Sequence, residues 1–311
     1  MSDAVRTLLK NVVYLADDGP RSGFVFFDAT GVRDVGTEYE PEYELAELVY
    51  DFGGGGVVVH GFSALVDIAE FVFRGFNDVD FSVFDRSELK MFAEVGLASA
   101  ISSGITLPVV MTGLEDVVRE VARQQGLKMI FISETMTEDE VPGSIVVNLI
   151  GETMFHDGKA LGSVRDLICS PHNLSGKCLF LDLRGPLGPR GRLHAFAETG
   201  LGFTELYAEL VKPYRYFSVD GGHVNKGSRS DLLLYDLRDP FKAAPLRALD
   251  DVLRALSRWP APDLVFVGGD IFYEKGEHLA VIPSPKIHSI LNKVTGREGP
   301  SVTASTSREL T

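Results

Sequence analysis

Four side chains in this sequence are of the types that perform acid–base chemistry. Asp67 interrupts the apolar run FSALVDIAEF, where a carboxylate needs a partner to offset its burial. His172 follows Pro171 in a turn, and His194 and Glu198 stand four residues apart in LHAFAE. Such groups give or take protons near neutral pH when their surroundings adjust their pKa values. We therefore predict Asp67, His172 and Glu198 as catalytic residues.

Several of these features also have a purely structural interpretation. His172 can be an ordinary turn residue after a proline, and His194 with Glu198 can mark the end of a strand. His60 also stands at a predicted strand end, where a buried histidine is more typical than a ligand. The glycines Gly53–Gly56 suggest a phosphate loop, but no Lys-Ser/Thr pair and no helix follow them. A permissive hinge fits those glycines better.

The composition excludes several classes of protein. The 311 residues are 45% hydrophobic and 24% charged, which is ordinary for one large domain or two smaller ones. The net charge of −14 argues against nucleic acid or an anionic membrane as a partner. The two cysteines, Cys169 and Cys178, are too few for a disulfide framework. The apolar runs are too short for a membrane span and no signal-type segment opens the chain, so we expect a cytoplasmic protein.

The hydrophobic pattern predicts two kinds of structure on either side of the glycine hinge. Short strands with turns come first, and alternating helices and strands follow, which is the order of a parallel sheet or barrel. The predicted strands before the hinge are Leu8–Tyr14, Gly23–Phe27 and Gly31–Gly36. After it we predict helices at Ser87–Ser102, Glu115–Gln125 and Phe203–Phe217, and strands at Ile105–Met111, Leu127–Ile132, Val164–Cys169, Leu179–Leu183 and Gly191–Ala197.

Two further segments depart from that alternation. Ser144–Leu161 reads as two strands around a turn, which predicts an inserted hairpin or a lid. Near the end of the chain, strands are predicted at Asp231–Asp236, Leu264–Val267 and Asp270–Tyr273. Residues beyond Pro283 are polar with little periodicity, and we expect a poorly ordered tail there.

Several motifs resemble the amidohydrolase superfamily of metal-dependent hydrolases, in particular its deaminase and chlorohydrolase branch. Gly61 and Phe62 match the start of that family's first barrel strand, but Val66 and Ile68 stand at its His-x-His metal ligands. Pro171-His172 resembles the pair after the fourth barrel strand, and LHAFAET the fifth-strand motif. There Ala195 takes the ligand position, His194 is one residue off, and Glu198 matches a substrate-binding glutamate. The resemblance implies that His172, His194 and Glu198 bind substrate. The closing segments GHVNKGSRSDLLLYD and VFVGGDIFYEKGEH resemble the return to the family's β domain.

The resemblance implies a fold of the α/β class. The expected architecture is an incomplete or remodelled (β/α) TIM-type barrel with a small β-sandwich domain built from both chain ends. A complete barrel alone takes roughly 250 residues, more than this chain leaves for it. The predicted domains are 1–60 with 219–283 for the β-sandwich, 61–218 for the barrel, and 284–311 for the tail.

For function, the resemblance implies an amidohydrolase-like protein that has lost the metal centre and binds a small molecule or a partner. No cofactor is then expected. One alternative is an active hydrolase or deaminase on C–N or C–Cl bonds with a rebuilt site and a zinc or iron ion. Another is a structural subunit that pairs with an active homologue. We also expect a homo-oligomer, or pairing with a homologue, because an open barrel exposes two strand edges.

Overall fold

The computed structural model describes residues 5–74, 79–134, 141–170, 178–198, 203–258 and 261–295. The first half of the chain contains β1 (Thr7–Ala16), β2 (Gly19–Asp28), β3 (Gly31–Gly36), β4 (Leu48–His60), α1 (Arg86–Ser102), β5 (Val109–Val110), α2 (Glu115–Gln124), β6 (Ile130–Ser133) and β7 (Ile145–Ile150). The second half contains β8 (Thr153–His156), β9 (Lys159–Ser163), α3 (Val164–Leu167), β10 (Ile168–Cys169), β11 (Phe180–Leu181), α4 (Gly188–Glu198), α5 (Phe203–Tyr216), β12 (Leu232–Asp236), α6 (Leu249–Arg258), β13 (Leu264–Val267), β14 (Asp270–Glu274), β15 (Glu277–His278) and α7 (Ile287–Thr295).

Strands from both ends of the chain form one sheet of eight strands, in the order β15-β14-β13-β12-β4-β1-β2-β3. β1 pairs with β4 in parallel, and β12 returns antiparallel to β4. The strands predicted on either side of the barrel region are thereby confirmed. A β-sandwich stays a prediction, because the described strands of the chain ends lie in this single sheet.

The glycines Gly53–Gly56 lie inside β4 and not between two domains. The pairing of β1 with β4 jumps from Lys10–Asp51 to Val12–Gly56, so β4 bulges out opposite Asn11. Gly53 and Gly54 have φ of 55° and 86°, values that glycine adopts without steric cost. The glycine run therefore makes a wide bulge within β4, and its role as a hinge stays a prediction.

A second, mostly parallel layer of strands follows β4. The segment 61–66 lies between β5 and β11: Leu65 N donates to Leu181 O at 2.8 Å, and Val66 N donates to Val109 O at 3.0 Å. β6 and β7 extend this layer in parallel beyond β5, and β10 extends it beyond β11. These six parallel strands do not close into a barrel within the described residues. The fold is mixed α/β, as predicted, with an open barrel-type wall.

Three secondary-structure predictions within this layer were wrong. Gly191–Ala197 lies in the helix α4 and not in a strand, because Pro189 can occupy the first turn of a helix and Leu, Ala and Glu favour its interior. Val164–Leu167 is a helical turn, and only Ile168–Cys169 is a strand. Within the predicted insertion, β7 pairs with β6 as a regular strand of the wall, and β8 and β9 then add two hairpins.

The helices α1 and α7 contact each other. Asp85 caps α1 and Glu88 completes a capping box, so the helix begins at Arg86, one residue before its predicted start. In α7, Ile290 packs with Phe73, Phe84 and Phe92 in a buried cluster. Part of the segment expected to trail away is thus a helix held by apolar contacts. None of the described helices is long and apolar enough to cross a membrane.

Candidate active site

The carboxyl ends of neighbouring parallel strands bring several polar side chains to one edge of the wall. Asp67 follows the segment 61–66, Thr112 follows β5, and Asp182 with Arg184 follows β11. Because 61–66 lies between β5 and β11, these residues become neighbours although the sequence separates them by up to 117 positions. Ligand sites of α/β sheets lie at this edge.

Asp67 is half-buried and accepts one hydrogen bond from the main chain. Its Oδ2 receives the amide N–H of Gly185 at 3.1 Å. Burial raises the pKa of Asp67, and this effect outweighs the opposing hydrogen bond and the positive charge of Arg184. The carboxyl group of Asp67 therefore keeps a proton at higher pH than an ordinary aspartate.

Glu70 lies in the 3-10 turn Ala69–Phe73 directly after Asp67 in the chain. Its Oε1 accepts a hydrogen bond from the hydroxyl of Thr112, which holds the carboxyl group against the end of β5. Burial is the main cause that raises the pKa of Glu70, and the negative charge of Asp67 adds to it. The two carboxyl groups thus lie close enough to disfavour double ionisation.

Two arginines face these carboxylates. Arg184 is bound to Asp182 through two hydrogen bonds, from Nε to Oδ1 at 3.0 Å and from Nη2 to Oδ2 at 2.9 Å. Arg192 of α4 contributes a second positive charge that acts on Asp67. Its Nε atom is buried and has no hydrogen-bond partner among the described residues. We call Asp67, Glu70, Thr112, Asp182, Arg184 and Arg192 the strand-end cluster.

The strand-end cluster combines proton-holding carboxyl groups with fixed positive charge. The carboxyl groups of Asp67 and Glu70 can donate a hydrogen bond when protonated and accept two or more when ionised. The pair Asp182–Arg184 is already satisfied and fixes the loop that donates to Asp67. Such an arrangement can bind a small polar molecule that carries N–H or O–H groups, and it can exchange protons with it.

The structure shows where Val66 and Ile68 lie, the residues at the expected positions of the first-strand metal ligands. Val66 is 1% exposed and Ile68 is fully buried, and both pack in the hydrophobic core. Valine and isoleucine carry no donor atom for a metal. Among the residues that the structure describes, no group of three or more His, Cys, Asp or Glu side chains is arranged to hold a metal ion. Val66 and Ile68 therefore cannot supply the histidine pair that the resemblance expects at these two positions.

Of the predicted site residues, the structure places Asp67 in the strand-end cluster. His172 lies outside the described residues. His194 and Glu198 are in α4, and their side chains also lie outside the described part of the structure. The family motif places Ala195 and His194 on a strand, whereas both residues lie in the helix α4.

Sequence reasoning missed Glu70, Asp182, Arg184 and Arg192. For Asp182 and Arg184, the sequence signal was LDLRG, in which the two charged residues are separated by one residue directly after the apolar strand β11. That pattern gains meaning only once β11 is known to lie beside the segment 61–66. For Glu70, the signal was its position three residues after Asp67.

His60 lies at the opposite end of the same segment. It ends β4, is fully buried, and packs edge-on against Tyr214 with ring centroids 4.6 Å apart. Burial lowers the pKa of His60 to about 4, against a smaller opposing effect of the Asp231 charge. His60 is therefore a neutral core residue near pH 7, which agrees with its structural interpretation.

Comparison with known proteins gives a consistent answer at the level of the fold. No protein-family model and no curated protein sequence matches this chain. Among solved structures, an adenosine deaminase from Xanthomonas campestris with bound zinc matches with a TM-score of 0.63 and 11% identity, over 93% of this chain and 98% of that one. A triazine hydrolase from Arthrobacter aurescens matches with a TM-score of 0.62 and 11% identity, over 93% and 99%. The E. coli guanine deaminase matches with a TM-score of 0.57 and 11% identity, over 86% and 99%.

All three enzymes belong to the amidohydrolase superfamily, and this chain has their fold. The resemblance inferred from the sequence motifs is confirmed to that extent. At 11% identity, the likeness concerns the scaffold, and the chemistry of the site has to be argued from this chain's own residues.

Proposed function

We propose that this chain is an amidohydrolase-fold protein that binds a small, nitrogen-rich molecule at the strand-end cluster without the family's first-strand metal site. One observation carries the proposal. The buried hydrocarbon side chains of Val66 and Ile68 flank Asp67, which takes part in a cluster of carboxyl and guanidinium groups at the edge where this fold binds ligands. This edge thus carries polar groups but has no histidine at positions 66 and 68.

The chemistry of the cluster suggests the class of ligand. Asp67 and Glu70 are acceptors whose raised pKa values come mainly from burial, and a ligand with N–H groups would supply donors beyond Gly185 N and the Thr112 hydroxyl. The structural neighbours are named for triazine, guanine and adenosine compounds, which are rich in such groups. We therefore expect an amino- or amide-bearing heterocycle.

The raised pKa values of Asp67 and Glu70 favour a second candidate, a hydrolase or deaminase with a rebuilt site. A carboxyl group with a raised pKa can act as a general acid or base closer to neutral pH. In this candidate, Asp67 would act with His172, His194 and Glu198, and a zinc or iron ion would activate water. Of these groups, only Asp67 has a side chain within the described part of the structure.

The test is ligand binding measured by thermal shift and calorimetry. A panel of purines, triazines and their amino derivatives would be screened against the wild type, Asp67→Asn and Glu70→Gln, with and without a chelator. Asp18→Asn is the matched control, because Asp18 lies in an exposed turn and pairs only with Arg21. We expect binding that survives the chelator, weakens about tenfold or more in the two cluster variants and is unchanged in the control. Binding that is equally strong in all variants would overturn the proposal, and binding that the chelator abolishes would favour the metal-dependent candidate.

A further inference from the structure

A cavity of about 320 Å³ lies at the other end of the parallel strands, between that wall and the eight-stranded sheet. It is lined by the β2–β3 turn (29–31), the loop before β6 (125, 126 and 128), residues 229–230 before β12, and the β13–β14 hairpin (267, 268, 270 and 272). Its volume is within the roughly 300–1,000 Å³ that is typical of small-molecule sites, and such sites favour boundaries between units of structure.

Two positively charged side chains, Lys128 and Arg229, line this cavity. The charge of Arg229 is the main cause that lowers the pKa of Lys128, and burial adds to it, so the two cations lie within range of each other. A Cβ atom at Gly143 would lie 2.8 Å from Lys128 Cε, so this glycine leaves room for the lysine stem. Two like charges are thereby brought together in a protein whose net charge is −14.

Two carboxylates lie near these two cations, one of them buried beside Arg229 and the other exposed to solvent. Asp231 is fully buried and its Oδ2 lies 2.7 Å from Nη2 of Arg229. The Nη1 atom of Arg229 is buried and makes no hydrogen bond to a described residue. The ammonium group of Lys128 has no ion pair in the described part of the chain. Asp270 also lines the cavity but is exposed to solvent.

We propose that this cavity binds a small anionic molecule whose phosphate or carboxylate group lies between Lys128 and Arg229. An oxyanion would accept hydrogen bonds from the ammonium group of Lys128, would be attracted by the charge of Arg229, and would relieve the repulsion between the two cations. The hydroxyl groups of Thr30 and Ser230 already donate to Asp28, so the lysine and the arginine carry the recognition.

This site is separate from the strand-end cluster. Lys128 precedes β6, and so stands at the amino end of the parallel strands, whereas Asp67, Thr112 and Asp182 follow their carboxyl ends. The inference therefore does not depend on the function proposed above. An anion bound here would connect the turn before β3 and the β13–β14 hairpin with the loop before β6, and so would stabilise the contact between the sheet and the wall.

The experiment is calorimetric titration of the full chain with inorganic phosphate, glycerol 3-phosphate and acetate at low ionic strength. Lys128→Met removes the ammonium group, Lys128→Arg keeps the charge, and Lys159→Met removes an exposed lysine of β9 as the matched control. We expect that at least one probe binds, that binding weakens about tenfold or more in Lys128→Met, and that Lys128→Arg and the control stay within about threefold. Tighter binding of the ester than of phosphate would identify a phosphorylated molecule as the ligand, and tightest binding of acetate a carboxylate.

A second measurement guards against a misfolded variant. The pKa of Lys128 in the wild type, followed by the NMR signal of its Cε, should rise when the anion binds, because the anion stabilises the charged form. The proposal is overturned if none of the three probes binds at millimolar concentration. It is also overturned if Lys128→Met and Lys159→Met weaken binding equally, or if the Lys128 pKa does not move.

Discussion

Asp67 and Glu70 retain their protons more tightly than ordinary carboxyl groups because burial disfavours their charged forms. Asp182 differs from them, since Arg184 binds both of its oxygens. Neighbouring residues of one type thus have different roles: one carboxylate fixes a loop and two remain available to a ligand. This division is the residue-scale basis of the proposed site.

Asp67→Asn should stabilise the free protein at pH 7. The folded state binds the Asp67 proton more tightly than the unfolded chain does, so ionisation costs stability as pH rises from the ordinary value of 3.8 through the raised pKa. The amide removes that cost and can still accept the hydrogen bond of Gly185 N. Urea unfolding at a series of pH values would show an advantage of the variant that is largest near neutral pH and shrinks toward pH 4.

Asp182→Asn is the matched comparison within the same cluster. It should lower the free energy of unfolding by about 1–3 kcal/mol at pH 7, because Arg184 loses its charged partner. If Asp67→Asn destabilised the protein at pH 7 as much as Asp182→Asn does, the assignment of Asp67 as an uncompensated carboxylate would be wrong.

The lowered pKa of His60 predicts a pH dependence of folding stability that is opposite in sign to that of Asp67. Its pKa is lowered to about 4, so between pH 6.5 and 4 the unfolded chain binds a proton that the folded protein does not. In this window His60 should therefore lower the free energy of unfolding as the pH decreases, by up to about 3 kcal/mol. His60→Gln should remove that part of the pH dependence, measured by denaturant unfolding. An NMR titration of His60 with a midpoint near 6.5 would contradict the account.

At the scale of elements, α1 fixes the backbone beside Asp67. A Cβ atom at Gly96 would lie 2.0 Å from the main-chain oxygen of Ile68, so only glycine lets the helix approach this closely. Gly96→Ala should lower the free energy of unfolding by about 2 kcal/mol or more, because the backbone has to move.

The control for this prediction is Gly113→Ala in the loop before α2. No atom lies within 4 Å of the Cβ position there, and φ is not in the left-handed region, so the change should stay within about 0.5 kcal/mol. Guanidinium unfolding measures both variants. Equal effects of the two substitutions would show that the contact between α1 and Ile68 is looser than described.

Local sequence signals predicted the elements whose pattern is set by their own residues. The strands of the eight-stranded sheet and the helix α2, with its acidic first turn and a glycine after its end, were found in this way. The helix α4 was missed because the family motif favoured a strand against the local helix propensity of its residues. The strand-end cluster was only partly found, because its members meet through the pairing of 61–66 with β5 and β11, which no local pattern encodes.

At the scale of the whole molecule, the layer that contains the parallel wall ends in β9 and β10, whose outer edges are unpaired within the described residues. Unpaired edges favour association, and we keep the expectation that the protein forms a homo-oligomer or pairs with a homologue. Light scattering coupled to size-exclusion chromatography should give at least twice the chain mass of 33.9 kDa at micromolar concentration. A monomer across that range would contradict the homo-oligomer and leave a heterologous partner to be sought.

The central proposal is that this chain binds its ligand without the metal centre that the resemblance implies. Metal content per chain, measured by plasma mass spectrometry on protein purified without a chelator, tests it most directly, with Asp67→Asn and His172→Ala alongside. We predict no zinc or iron above background in any of the three proteins. About one zinc or iron per wild-type chain, lost in either variant, would contradict the claim and establish a rebuilt metal site that uses Asp67 or His172.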